Sequence, residues 1–326
     1  MMTLKRIINA AKPPGSHMNP GDMQKLGVGN LCRTAKVYNY FKTGSLLRYR
    51  RRQYRDHFEE LIRENGEPRT QPSVIKDGWA LDTTRKLPHL DSLLLEAEQY
   101  IGERGMQKKG IAGREFIRDI LVQEDLTRFP SFLNFILSSD VLTTACRYLG
   151  FIPMLSNTIP PGVRFVESSI NGQEKPGVYN HSQLYHLDLH DNPLVYVIVL
   201  LRDVTPESGP FTFLSESISR RACKALHYFS RGSSYRVTDG QMYGAVDRGE
   251  AKTMLYPRGT VLFLDSSRCF HFGSRDAVIT RYQMMYALVS PCRTDFTASY
   301  MTPRIFPVNE SDSRLRKMVS DKNYRD

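Results

Sequence analysis

His186 and Asp188 stand two residues apart in a strand-like segment, and His271 follows some eighty residues later in another. Two imidazoles and one carboxylate are donors that suit Fe(II) when three protein ligands hold one face of the ion and leave the opposite positions open. The spacing has a geometric reason. Residues i and i+2 of an extended strand point to the same side, so His186 and Asp188 can share one ion. The third ligand can come from a strand far off in sequence when the sheet curls into a barrel. An H-x-D tripeptide alone is a weak signal, since such tripeptides arise often by chance, and its surroundings decide what it is worth.

Those surroundings form an ordered set. Ser182-Gln183-Leu184-Tyr185-His186-Leu187-Asp188 is followed by the apolar run 194–201 and by Asp203-Val204-Thr205-Pro206-Glu207-Ser208-Gly209-Pro210-Phe211. Gly259-Thr260-Val261-Leu262-Phe263-Leu264-Asp265 comes next, then Cys269-Phe270-His271-Phe272-Gly273, and Arg281 ten residues after the distal His. Over roughly 74–290 this order resembles the phytanoyl-CoA dioxygenase-like family of Fe(II)/2-oxoglutarate oxygenases. The resemblance implies a double-stranded β-helix, with His186, Asp188 and His271 as metal ligands and Arg281 binding the far carboxylate of 2-oxoglutarate. It implies Fe(II), 2-oxoglutarate and O2 as the reactants, with release of succinate and CO2 and hydroxylation of an unactivated C–H in a small or medium-sized metabolite. A carboxylate at Asp188 favours hydroxylation, because related halogenases place a small residue there to admit chloride. No catalytic residue beyond the metal ligands is expected, and no CoA-binding signature is present.

Several neighbours compete for these roles. His190 makes a mirrored D-x-H with Asp188, but the family pattern places it in the loop and favours His186. His181 and His227 read as surface or packing histidines. Asp265 reads as a residue that fixes the turn before His271, and Gly209-Pro210 as the turn that returns the chain to the barrel. Cys269 shares strand parity with His271, though buried cysteines usually only pack. A guanidinium donates to a carboxylate in two-pronged fashion, which suits Arg281. Gln283 and Met285 share its parity and would line the pocket. Arg275 falls in the loop, and the offset of Ser274 from the distal His does not match the family, so it is left out of the site.

The elements that must position these residues change character at Gly150. Before it the pattern is helical: 35–65 with Tyr38, Phe41, Leu46, Leu47, Phe58, Leu61 and Ile62 buried and an interruption at Gly44, then 90–100 starting at Asp91 or Ser92, 131–137, and 138–149 ended by Gly150. Residues 74–81 read as a first strand. After Gly150, eight short β-branched and aromatic segments alternate with turns: 152–159, 163–169, 182–188, 195–203, 210–215, 252–256, 260–264 and 280–290. The expected class is therefore mainly β with flanking helices around a jelly-roll, cupin-like core, with one helix, 217–229, inserted. Three parts follow: a basic, partly helical arm (1–70) with a linker at 12–30, the barrel domain with its helices (71–300), and a charged tail (301–326) that wraps loosely or frays.

The chain has 326 residues, a net charge of +11, and 40% apolar residues, enough for a sizeable core. The charge is uneven: residues 1–70 carry 14 Lys and Arg against 6 Asp and Glu. Such an arm can attract phosphate, nucleic acid or anionic lipid, although a solvated helix face or subunit contact accounts for it more simply. No nucleic-acid fold motif accompanies it. Five scattered cysteines without a C-x-x-C spacing speak against a disulfide framework or zinc ribbon and fit a reducing cytoplasm best. No apolar run reaches transmembrane length, and the first eleven residues are too short in their apolar part for a secretory signal. The substrate is expected to be a small molecule whose specificity lies in loops 170–182 and 230–258. Two other functions fit less well: a cupin-like metalloenzyme that does not use 2-oxoglutarate, against which Arg281 speaks, and a non-catalytic barrel that binds an anionic partner through the arm.

Overall fold

The structure, a computed structural model, describes residues 24–105, 116–168 and 177–325. Residues 12–23 of the expected linker and 170–176 of the first specificity loop lie outside the described residues. Helix α1 is Val28–Glu64. It is followed by strand β1 (Trp79–Asp82), helix α2 (Leu90–Arg104), strand β2 (Ile117–Asp119), and helices α3 (Ser131–Ile136) and α4 (Ser139–Leu149). Strands β3 (Met154–Leu155), β4 (Val163–Ser168), β5 (Val195–Leu200) and β6 (Thr212–Phe213) come next, then helices α5 (Glu216–Ala225) and α6 (Asp239–Ala245). Strands β7 (Lys252–Thr253), β8 (Val261–Asp265), β9 (His271–Phe272) and β10 (Tyr282–Val289) complete the sheets, and helix α7 (Arg314–Ser320) lies near the end.

All pairings are antiparallel. The larger sheet runs β1-β8-β5-β10-β4-β2, with β3 on the end of β10, and the smaller runs β7-β6-β9. Single bridges join His186 to His271 and Tyr185 to Val237, which adds residues 185–186 beside β9. Following the chain from β4 to β10, it visits the larger sheet, then 185–186 in the smaller, then β5, then β6 and β7, then β8, β9 and β10. That regular exchange between two facing sheets is the double-stranded β-helix, and it gives the jelly-roll expectation its structural basis.

Side-chain alternation explains why the central strands read as unbroken apolar runs. On β5, Val195, Val197 and Val199 face the helices with Phe132, Phe135 and Tyr286, while Tyr196, Ile198 and Leu200 face the smaller sheet with Phe213 and Leu264. Both faces are covered, so no polar face remains. Each fully buried aromatic or aliphatic side chain here stabilises the fold by about 1.5–3 kcal/mol as an upper estimate. Outside the smaller sheet, Tyr185, Leu187, Phe270 and Phe272 pack with Ala222 of α5, Met242 of α6 and Leu31 of α1.

Helix α4 ends at Gly150, whose φ of 71° gives the left-handed cap that the sequence suggests. Other expectations are corrected. Helix α1 begins at Val28, inside the expected linker, and Gly44 does not interrupt it. Phe41 is 85% exposed because it falls on the helix face opposite Leu46 and Leu61. Only Tyr185 and His186 of 182–188 are strand-paired, since His181–Gln183 forms a 3-10 turn. The helix expected at 217–229 stops at Ala225. The tail neither frays nor lies loosely over residues 314–320: Leu315, Met318 and Val319 of α7 are fully buried in the helical core. Arg50, in the densest basic run, is fully buried and holds that helix end. Its Nη2 donates to the carbonyls of Met318 (2.6 Å) and Asp321 (3.0 Å), and its Nη1 to that of Pro153 (2.9 Å). Cations suit helix C-termini, so part of the arm's charge is structural.

Candidate metal centre

The smaller sheet brings the three expected ligands together. His186 and His271 exchange both backbone hydrogen bonds at 3.1 Å, the close pairing that sets opposed side chains on one face. Their rings lie 4.3 Å apart, centroid to centroid. The Asp188 amide donates to the Ser266 carbonyl at 2.9 Å, which fixes the strand two residues on. Asp188 Oδ1 is 3.9 Å from His186 Nε2, and Oδ2 is 3.5 Å from His271 Nε2. All three ligand atoms fall within 4.8 Å of one another, and no other such group occurs among the described residues. Tyr185, Leu187 and Leu189 take the outward face, so the i, i+2 argument for His186 and Asp188 holds in detail.

Both imidazoles are oriented in the same way. Nδ1 of His186 pairs with the Leu184 carbonyl at 2.9 Å, and Nδ1 of His271 with the Cys269 carbonyl at 3.0 Å, each two residues upstream. A carbonyl can only accept, so Nδ1 carries the proton and Nε2 presents its lone pair to the centre. Burial lowers the His271 pKa, keeping the ring in the neutral form that a metal needs. Phe211 stacks on His271 at 5.4 Å and closes that side to water.

Arg281 lies just before β10, only 4% exposed. Its Nη2 donates to Ser274 Oγ at 3.0 Å, while Nε and Nη1 are buried with no hydrogen-bond partner among the described residues. Burial without a counter-charge lowers its pKa to about 10. A buried guanidinium with two orphaned donors is costly to keep and fits an incoming carboxylate. Gln283 and Met285 share its inner face, with Met285 packed against the inter-sheet core. These donors suit a divalent ion such as Fe(II) on one side and a carboxylate on the other: hard and borderline ligands, and an unsatisfied fork.

The rivals fall elsewhere. His190 Nδ1 pairs with Asp295 Oδ2 at 2.8 Å, away from the metal group. His181 and His227 are exposed. Arg275 is not a loose loop residue; it binds Asp239 at 2.9 Å and lies 3.3 Å above the Phe272 ring. The Cys269 thiol faces the Gly78 carbonyl. Asp265 accepts from Tyr148 (2.7 Å) and from the amide and hydroxyl of Ser267 (3.1 and 2.6 Å), fixing the turn before β9. Two further residues enter the geometry. Ser274, set aside above on family offset, is the partner of Arg281. Arg164 carries no expectation from the motifs, although a charge between Val163 and Phe165 in an apolar strand signals an inward-facing polar group.

No family model matches the chain, and no curated protein matches it. Solved structures do. The apo form of EctD from S. alaskensis is 16% identical with a TM-score of 0.43, covering 69% of this chain and 83% of that one. SnoN, an epimerase of nogalamycin biosynthesis solved with Fe3+ and alpha-ketoglutarate, is 13% identical with a TM-score of 0.40, covering 71% and 83%. HygX from Streptomyces hygroscopicus, solved with nickel and 2-oxoglutarate, is 16% identical with a TM-score of 0.36, covering 65% and 83%. No helix among the described residues is long and apolar enough to cross a membrane.

Proposed function

We propose that this protein is an Fe(II)/2-oxoglutarate-dependent oxygenase that hydroxylates a C–H of a small or medium-sized metabolite. One observation carries the reading: a His-Asp-His group with both Nδ1 atoms locked outward faces the same barrel interior as a buried arginine with two unsatisfied donors. His186, Asp188 and His271 would hold the metal, and Arg281, steadied by Ser274, would hold the far carboxylate of the cosubstrate. When bound, iron and 2-oxoglutarate supply the oxidising chemistry, consuming O2 and releasing succinate and CO2. The chain's own work is placement. The two backbone-locked imidazoles set the direction of the open positions, and Phe211 with the inter-sheet apolar wall limits water. The carboxylate of Asp188 supports hydroxylation as the outcome, and membership of the phytanoyl-CoA dioxygenase-like family accords with the residue order.

The test is succinate release from 2-oxoglutarate by the purified protein. We expect it to require both Fe(II) and O2 and to disappear in His271→Ala. Metal binding without any 2-oxoglutarate consumption or affinity would contradict the proposal and favour a cupin-type enzyme of another class.

A further inference from the structure

A second arginine faces the same interior. On β4, Val163 and Phe165 turn outward into the helical core, which directs Arg164 between them to the inner side. Arg164 stands opposite Met285 of β10, and Met285 stands opposite Ile198 of β5; Ile198 packs in the inter-sheet core beside Tyr196. Asp188 lies close enough for its charge to act on Arg164. Arg281 and Met285 are four residues apart on one strand, so the two arginines are rooted about 14 Å apart along the inner wall.

The way Arg164 is held leaves its fork open. Its Nε donates to Asp119 Oδ2 at 3.3 Å. The other oxygen of Asp119 accepts from the amides of Phe165 (3.2 Å) and Leu121 (3.4 Å), so this carboxylate is pinned by backbone and meets the guanidinium at Nε alone. Nη1 and Nη2 have no hydrogen bond among the described residues. The Arg164 side chain is 22% accessible although β4 lies within the sheet, between β10 and β2. A guanidinium held at Nε, on a side chain that is still partly accessible, keeps its terminal nitrogens for planar, two-pronged donation to an anion.

We propose that Arg164 determines substrate specificity: it binds an anionic group, carboxylate or phosphoryl, at one end of a substrate whose apolar body lies along Ile198, Met285 and Tyr196. This rests on the oxygenase reading, in which Arg281 is taken by the cosubstrate and Arg164 is left for the substrate. Lacking a negative charge, a purely hydrocarbon or cationic substrate would offer the terminal nitrogens of Arg164 no partner.

The experiment measures binding of three probes by anaerobic calorimetry to the full-length, Fe(II)-loaded protein: phenylacetate, phenyl phosphate and neutral phenylacetamide. Wild type is expected to bind one of the anions at least tenfold more tightly than the amide; whichever anion is preferred names the substrate group. Arg164→Gln should reduce that preference to within twofold, while Arg281→Gln should keep it. If Arg164→Gln does not fold by circular dichroism, Arg164→Lys, which keeps charge without the fork, should lower the preference several-fold. Equal binding of charged and neutral probes by wild type would overturn the proposal, as would a preference that survives Arg164→Gln or vanishes in Arg281→Gln. Titrating 2-oxoglutarate in parallel separates the two readings. Its binding should fail in Arg281→Gln and persist in Arg164→Gln, and absence of 2-oxoglutarate binding alongside an Arg164-dependent anion preference would sink the cosubstrate reading alone.

Discussion

Arg281 shows at the scale of one residue how the proposed function would oppose stability. Two of its buried donors are unsatisfied, so in the absence of a carboxylate its removal relieves a penalty. Arg281→Met should therefore leave the unliganded protein as stable or up to about 2 kcal/mol more stable in urea unfolding, while weakening 2-oxoglutarate binding by roughly 100-fold. A large loss of stability would show that the guanidinium is structural. Ser274→Ala, which removes its one hydrogen bond, should weaken 2-oxoglutarate by about fivefold, the effect of a single hydrogen bond. The grouping of His186, Asp188 and His271, and the inward position of Arg281, were legible from residue type, order and parity. Ser274 was not, because its contact crosses a turn in which it adopts φ 60°, and nothing in the local pattern reports that conformation. Arg164 was legible in principle, from strand alternation.

Among the elements, the turn between β8 and β9 decides whether His271 reaches the centre. Asp265 organises it by accepting from Tyr148, from Ser267 twice and from the Leu194 amide at 3.4 Å. Asp265→Ala would leave several buried donors unpaired. We expect a cost of about 3 kcal/mol in urea unfolding, together with at least roughly tenfold weaker metal binding. Unchanged metal affinity in a destabilised variant would separate the turn from the site. The strands and most helices were readable, since apolar runs covered on both faces and a Gly cap leave clear marks. The 185–186 strand was less so: its neighbour at 181–183 coils into a 3-10 turn, and two residues suffice to pair with His271 and Val237.

For the whole molecule, the two ends of the described chain meet at one core. Helix α7 inserts Leu315, Met318 and Val319 against helices and sheet, and Arg50 of α1 holds its last carbonyls. The charge of the last residues hid this, because three apolar positions within seven residues give a faint helical signal. Three such side chains are worth together roughly 5–9 kcal/mol as an upper estimate, comparable to the total stability of a domain. Removal of residues 313–326 should thus give insoluble or strongly urea-sensitive protein; a truncated chain unfolding at the wild-type midpoint would contradict this packing. The central claim is that the assembled barrel holds one metal beside one dicarboxylate. The most direct measurement is an anaerobic titration of the metal-free protein with Fe(II) and then 2-oxoglutarate, following the visible metal-to-ligand charge-transfer band. The account predicts a band that needs both additions, saturates at one equivalent of iron, and is absent in His271→Ala. Iron binding with no band at any 2-oxoglutarate concentration would contradict it.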